Sequence, residues 1–109
     1  MENEFTVNEM MAMQRSMLEK YKEWWEDLTP ESGKHHLLWM LGEAGEVIDV
    51  IKKEPNEVLM EKGPVREHLV EELVDVMMFY NDVLLCYGIT SEEFKDVYVR
   101  KYERNLNRW

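Results

Sequence analysis

The sequence predicts an all-α fold, a four-helix bundle-like arrangement formed by one domain spanning residues 1–109. Apolar residues recur at intervals of three and four along three long segments, and a fourth such segment closes the chain. Proline and glycine lie in the breaks between these segments, and no segment alternates with the period of a strand. Because a helical domain this small buries only part of its apolar surface, we expect oligomerisation to complete its core.

The first helix is predicted over residues 7–27. Thr6 and Glu9 have the spacing of a capping box, in which the hydroxyl and the carboxylate each accept a hydrogen bond from a free amide at the start of a helix. The break that follows contains Pro30 and Gly33, which both interrupt helices.

The second helix is predicted over residues 34–53, followed by a polar connection with a short turn at 57–60. Pro64, in a position that a first helical turn accepts, begins the third helix, which reaches Tyr87 before Gly88. A second capping box begins at Thr90, and the fourth helix runs to about residue 105.

Composition and charge exclude several classes of function. The formal net charge of -10 argues against nucleic-acid polymers as partners, because such binding needs a basic surface. The sequence contains no run of 18 apolar residues, so no membrane span is predicted. Its first residues are acidic and lack the pattern of a signal peptide. Cys86 is the only cysteine, which favours a reducing, cytoplasmic compartment.

The second and third helices each carry two acids on an otherwise apolar side. Glu43 and Glu46 lie three residues apart on the second helix, and Glu72 and Asp75 do so on the third, so each pair projects together. The opposite side of each helix is aliphatic and is predicted to be core. On the second helix this stripe comprises Leu37, Leu41, Ala44, Ile48 and Ile51, and on the third Leu69, Leu73, Val76, Tyr80, Leu84 and Tyr87.

Four carboxylates in apolar surroundings require compensation, by protonation, by basic partners or by a metal ion. Oxygen ligands without Cys or His select Mg²⁺, Mn²⁺ or Ca²⁺. Asp82 is expected either to be a further metal ligand or to support the four ligands from outside, and Asp49 and Glu71 are nearby alternatives. A solvated acidic face, with no metal, is the competing interpretation of each pair.

Residues 43–46 (EAGE) and 72–75 (ELVD) resemble the paired ExxE and ExxD motifs of the MazG-type family of all-α nucleoside triphosphate pyrophosphohydrolases. The resemblance covers residues 34–109 and includes the basic tail from residue 101. The chain departs from the family at Gly42, where an additional acid is common, which puts the number of metal ions in doubt.

The resemblance implies a fold, a reaction and a role for the acids. Such an enzyme converts NTP or dNTP and water to the monophosphate and pyrophosphate, and serves nucleotide-pool housecleaning. Glu43, Glu46, Glu72 and Asp75 would then hold Mg²⁺, with Mn²⁺ as an alternative. By analogy we assign Glu46 the additional role of general base.

The phosphates need cations in so acidic a chain. Lys101, Arg104 and Arg108 lie on one face of the last helix. The resemblance makes Lys101, Asn105 and Arg108 the expected phosphate contacts, with Arg104 beside them. The competing interpretation is a basic last turn that complements the helix dipole.

Trp25 and Trp39 are candidates to stack on the base, as is Trp24, although aromatic residues at helical spacing also form cores or subunit contacts. His35 and His36 are interpreted as residues of the capping region, because neighbours on a helix do not project together.

Two other functions stay open. A phosphoribosyl-ATP or dUTP/dCTP-type pyrophosphatase shares the acids and differs in its pocket, and a non-catalytic acidic helical interaction protein retains them without turnover. Since the acid-bearing helices have apolar residues on two sides, we expect a homodimer or a dimer of dimers.

Overall fold

The computed structural model describes residues 4–108 and confirms the all-α prediction, since it contains only helices and their connections over that range. Four long helices, one short helix and a 3-10 turn follow each other along the chain. They are α1 (Val7–Tyr21), the 3-10 turn (Pro30–Ser32), α2 (Gly33–Lys53), α3 (Asn56–Met60), α4 (Pro64–Cys86) and α5 (Ser91–Leu106).

The first helix is shorter than predicted, because α1 ends at Tyr21 and does not reach residue 27. The backbone amides of Trp24 and Trp25 both donate to the Tyr21 carbonyl, each at 2.9 Å, which closes a tight turn. The ring of Trp25 stacks on that of Tyr21 with centroids 4.7 Å apart. This turn directs residues 24–28 toward α2 and α4.

The centre of the fold is an antiparallel pair formed by α2 and α4, which make the most extensive contact between helices. Near the start of α2, Ser32 contacts Cys86 at the end of α4. Two turns further along, Trp39 contacts Phe79. Gly33 lies so close to the ring of Tyr87 at this end that a Cβ there would force the ring to move.

The face of α2 that packs on α4 differs from the predicted core stripe. Its half-buried and buried residues repeat at intervals of four and three: His36, Met40, Glu43, Val47 and Val50. The aliphatic stripe predicted as core is instead open to solvent, with Leu37, Leu41, Ile48 and Ile51 between 43% and 57% exposed. The prediction was wrong because it sorted residues by hydrophobicity, whereas the α4 contact centres on the face that includes Glu43.

The displacement on α4 is smaller. Leu84 is buried and Leu69, Val76 and Tyr80 are half-buried, as predicted, but Leu73 and Tyr87 are about half exposed. The side bearing the acids is covered as well, since Glu72, Asp75 and Phe79 are all half-buried. Both helices therefore pack through the faces that carry carboxylates and leave aliphatic residues outside.

The last helix covers little of this pair. α5 packs on α1 and places Phe94 against Tyr80 of α4, with ring centroids 6.0 Å apart, but none of its described residues is buried.

The described chain is extended for its length. Its radius of gyration is 16.3 Å, compared with about 13 Å for a compact domain of about 100 residues. Between residues 4 and 108, no single helix is long and apolar enough to cross a membrane. Only α4 and α5 taken together meet the combined criterion of length and composition, and they are bent by 108° at their junction.

Candidate metal centre and adjoining cavity

Three of the four predicted metal-binding acids converge between α2 and α4. One carboxylate oxygen each from Glu43, Glu72 and Asp75 lies within 4.8 Å of the others, and all three residues are half-buried. The antiparallel pairing causes this convergence, because it sets Glu43 of α2 opposite the turn of α4 that carries both other acids. We call these three residues the acid cluster.

The acid cluster is electrostatically unfavourable without a cation or a proton. Burial raises the pKa of the Glu43 carboxyl, and the charges of Asp75, Glu72 and Glu46 raise it further. A hydrogen bond between the Glu43 and Asp75 carboxyls has the same effect, because it requires a proton on one of them. The neighbouring charges that act on Glu43 are all negative, so the site favours any positive species that enters it.

The other two predicted acids lie outside this group. Glu46 is exposed one turn further along α2, where its charge still acts on Glu43. Asp82 lies two turns beyond Asp75 on α4, and its carboxylate accepts a hydrogen bond from Gln14 of α1 at 2.7 Å. The structure therefore places Asp82 in contact with α1, at a distance from the acid cluster along the helix.

A cavity of about 390 Å³ adjoins the acid cluster and includes Asp75 in its wall. This volume lies within the range of small-molecule sites, roughly 300–1,000 Å³. The rings of Trp39 and Phe79 lie along one side of the cavity, with their centroids 6.2 Å apart. The wall is built from α1, the segment after it, α2 and α4, and its other residues are Gln14, Met17, Leu18, Trp24, Trp25, Glu26, Leu28, His36, Met78 and Asp82.

Three polar side chains meet in the wall of this cavity. They are Gln14, Asp82 and His36. The Asp82 carboxylate lies between the other two: it accepts the hydrogen bond from Gln14, and its Oδ2 lies 3.6 Å from Nδ1 of His36. His36 is 6% exposed, and neither of its ring nitrogens has a hydrogen-bond partner within residues 4–108. Burial raises the pKa of Asp82, while the Gln14 hydrogen bond and the charge of His36 act in the opposite direction.

Sequence reasoning missed this polar group. His36 was assigned to the capping region, yet it packs edge-on against Trp39 at 5.1 Å inside the cavity wall. The signal was its spacing, because His36 precedes Glu43 by two helical turns and so shares the face that packs on α4. Gln14 carried no comparable signal, since its burial depends on how α1 docks against α4.

The predicted phosphate-binding residues lie elsewhere. Lys101, Arg104 and Arg108 are exposed and Asn105 is half-buried, and the Arg108 guanidinium donates to the Asn105 side chain at 3.4 Å. No described residue of α5 lines the cavity beside the acid cluster. The two candidate tryptophans do line it, as Trp25 after α1 and Trp39 on α2.

Comparison of the chain with protein-family models, with curated proteins and with solved structures found no match.

Proposed function

We propose that the chain is a Mg²⁺-dependent nucleoside triphosphate pyrophosphohydrolase of the MazG type. The observation that carries the proposal is the convergence of Glu43, Glu72 and Asp75 from two helices beside a cavity with aromatic walls. Carboxylates whose only role is to keep a surface hydrated are destabilised by partial burial beside other acids. A cation site, in contrast, requires carboxylates to be held together in this way.

The donor set fits a hard divalent cation. Three carboxylates within reach of one ion, with neither Cys nor His among them, match Mg²⁺ and Mn²⁺. The raised pKa of Glu43 is the expected signature of carboxylates held together before a cation arrives. A divalent ion held there supplies charge neutralisation on phosphate oxygens and a more readily ionised water.

The chain's residues would then divide the remaining work. Trp39 and Trp25 stack on the base, which directs the triphosphate toward the acid cluster. Glu46, exposed beside the cluster, accepts the proton of the attacking water. The water oxygen forms the new bond to the α-phosphorus, the bond from that phosphorus to the bridging oxygen breaks, and pyrophosphate leaves with the bridging oxygen.

We further propose that the active form is a homodimer or a dimer of dimers. The exposed aliphatic stripe of α2 supports this, because a contiguous apolar surface is usually covered by a partner. The proposal requires assembly to bring an α5 to each acid cluster, because no described residue of α5 lines the adjoining cavity. The residues assigned to the β- and γ-phosphates are Lys101, Arg104, Asn105 and Arg108.

The test is pyrophosphate release from a panel of NTPs and dNTPs, including dUTP and dCTP and phosphoribosyl-ATP, with Mg²⁺ and with chelator. We expect Mg²⁺-dependent release of pyrophosphate and monophosphate in equal amounts. Activity confined to phosphoribosyl-ATP, dUTP or dCTP would identify the specialised enzyme. Folded protein that releases no pyrophosphate with Mg²⁺ or Mn²⁺ would overturn the proposal in favour of a non-catalytic interaction protein.

A further inference from the structure

The polar group in the cavity wall has hydrogen-bonding capacity that the fold does not use. An ionised carboxylate accepts about four hydrogen bonds, and Asp82 receives one within hydrogen-bond distance, from Gln14. His36 is buried with both ring nitrogens unpartnered in the described part of the chain. Buried polar groups of this kind are costly unless a ligand or water pairs with them.

The two side chains offer adjacent and complementary groups. Asp82 presents lone pairs, because an ionised carboxylate accepts and does not donate. His36 presents a ring N–H next to it, at Nδ1 or Nε2 according to tautomer, with Nδ1 3.6 Å from Asp82. A complementary ligand would therefore carry a hydrogen-bond donor that faces Asp82 and, next to it, an acceptor that faces His36.

We propose that this cavity binds the amino-bearing edge of cytosine or adenine, with Asp82 accepting from the exocyclic amino group and His36 donating to the adjacent ring nitrogen. The inference rests on the proposed function for the triphosphate that carries the base. It extends that function by naming the substrate class, 4-aminopyrimidine and 6-aminopurine nucleotides.

The same wall disfavours bases with a carbonyl in that position. Uracil and hypoxanthine would set a carbonyl oxygen against the Asp82 carboxylate, so two acceptors would face each other without a proton between them. Discrimination by an unfavourable contact of this kind is stronger than discrimination by a missing attraction alone. The apolar rings of Trp39 and Phe79 beside it accept either base, because stacking is tolerant of base identity.

The experiment uses nucleosides, which lack phosphates, so that neither metal nor turnover is needed. The full chain is titrated with cytidine, uridine, adenosine and inosine in mildly alkaline buffer with chelator, and the indole N–H signals of Trp25 and Trp39 are followed by NMR. A Trp39→Phe variant assigns its signal. We expect cytidine and adenosine to bind about ten- to a hundredfold more tightly than uridine and inosine, the value of a hydrogen bond to a charged group.

Asp82→Asn tests the residue, and Asp96→Asn, at an exposed position on α5, is its matched control. The Asn amide can turn its NH₂ toward a carbonyl, so we expect Asp82→Asn to remove the preference and Asp96→Asn to retain it. If Asp82→Asn does not fold, the wild-type preference decides alone.

Equal affinity within each nucleoside pair, or no shift of either indole signal up to the solubility limit, would overturn the inference. The result is separable from the proposed function. Amino-base preference without pyrophosphate release would retain the subsite and remove the enzyme, whereas pyrophosphate release without base preference would do the reverse.

Discussion

The two faces of α2 differ in a way that ordinary packing does not explain. One face carries Glu43 and is pressed against α4, while a face about a quarter-turn away carries Leu41 and Ile48 and is open to solvent. Moving an ionised carboxylate out of water is costly, and leaving aliphatic side chains in water forgoes about 25 cal/mol per Å² of apolar surface. A chain selected only for the stability of its monomer would have the opposite arrangement.

The difference indicates that each face is completed by something other than the single chain. The acid face fits a cation, which turns mutual repulsion into shared coordination. The aliphatic face fits a second copy of the chain, which removes the apolar surface from water. The same division recurs on α4, where Glu72 and Asp75 face inward and Leu73 faces outward.

The largest effect is expected from breaking the acid face. Asp75→Asn should reduce Mg²⁺-dependent pyrophosphate release by roughly a hundredfold or more, because even groups that only support a metal ligand are worth about 10- to 100-fold. Circular dichroism should show an unchanged helical fold. Glu71→Gln, on the exposed side of the same helix, is the control and should retain activity. Equal losses in both variants would refute a specific role for the acid cluster.

The aliphatic face is tested by Ile48→Lys, which sets a charge in the middle of the exposed stripe. Light scattering of the wild type should give a multiple of the 13.2 kDa chain mass, and the variant should give 13.2 kDa. Burying an unpaired ammonium at a subunit contact opposes assembly. Asp49→Lys places the same side chain on another side of α2 and should leave the mass unchanged. A wild type that is already monomeric would contradict our account of this face.

A smaller effect is expected at the basic face of α5. Lys101→Met should raise KM for the triphosphate by about tenfold with a smaller change in kcat, since one charged hydrogen bond is worth about that factor. Lys62→Met, an exposed lysine in the connection before α4, is the matched control. Unchanged KM in the Lys101 variant would remove that lysine from the proposed phosphate site.

The smallest effect concerns stability without metal. Since the pKa of Glu43 is raised above 4.5, the folded state binds this proton more tightly than the unfolded state does. The free energy of unfolding therefore falls as pH rises from about 4.5 through the folded pKa, and stays lower above it. With chelator, Glu43→Gln should unfold at higher urea than the wild type at neutral pH and at the same urea in acid. A lower midpoint at neutral pH would show that Glu43 stabilises the fold by itself.

The sequence was sufficient to predict most of the helices and the convergence of three of the four acids. Capping boxes, proline and glycine determine local structure, and the bounds of α2, α4 and α5 fall within one or two residues of prediction. The end of α1 was not predictable, because the turn at Tyr21 depends on how Trp25 stacks. Acids three residues apart project to neighbouring positions, so the pairing of α2 with α4 brought Glu72 and Asp75 to Glu43. It left Glu46 exposed, because the α4 contact centres on the Glu43 side of α2.

The buried face and the cavity required the structure. Hydrophobic periodicity identifies apolar stripes but does not say which stripe meets its own chain and which meets another molecule. Leu41 and Ile48 were therefore placed in the core, although they are exposed. The contact between His36 and Asp82 joins residues far apart in the chain, so no local pattern indicates it.

The most direct test of the acid face is titration with Mn²⁺, followed by electron paramagnetic resonance, of the wild type, Glu43→Gln and Glu71→Gln. We predict saturable binding by the wild type that Mg²⁺ displaces, an affinity lower by about tenfold or more in Glu43→Gln, and wild-type affinity in Glu71→Gln. The same weak binding by all three proteins would contradict the account, because the carboxylates between α2 and α4 would then hold no metal.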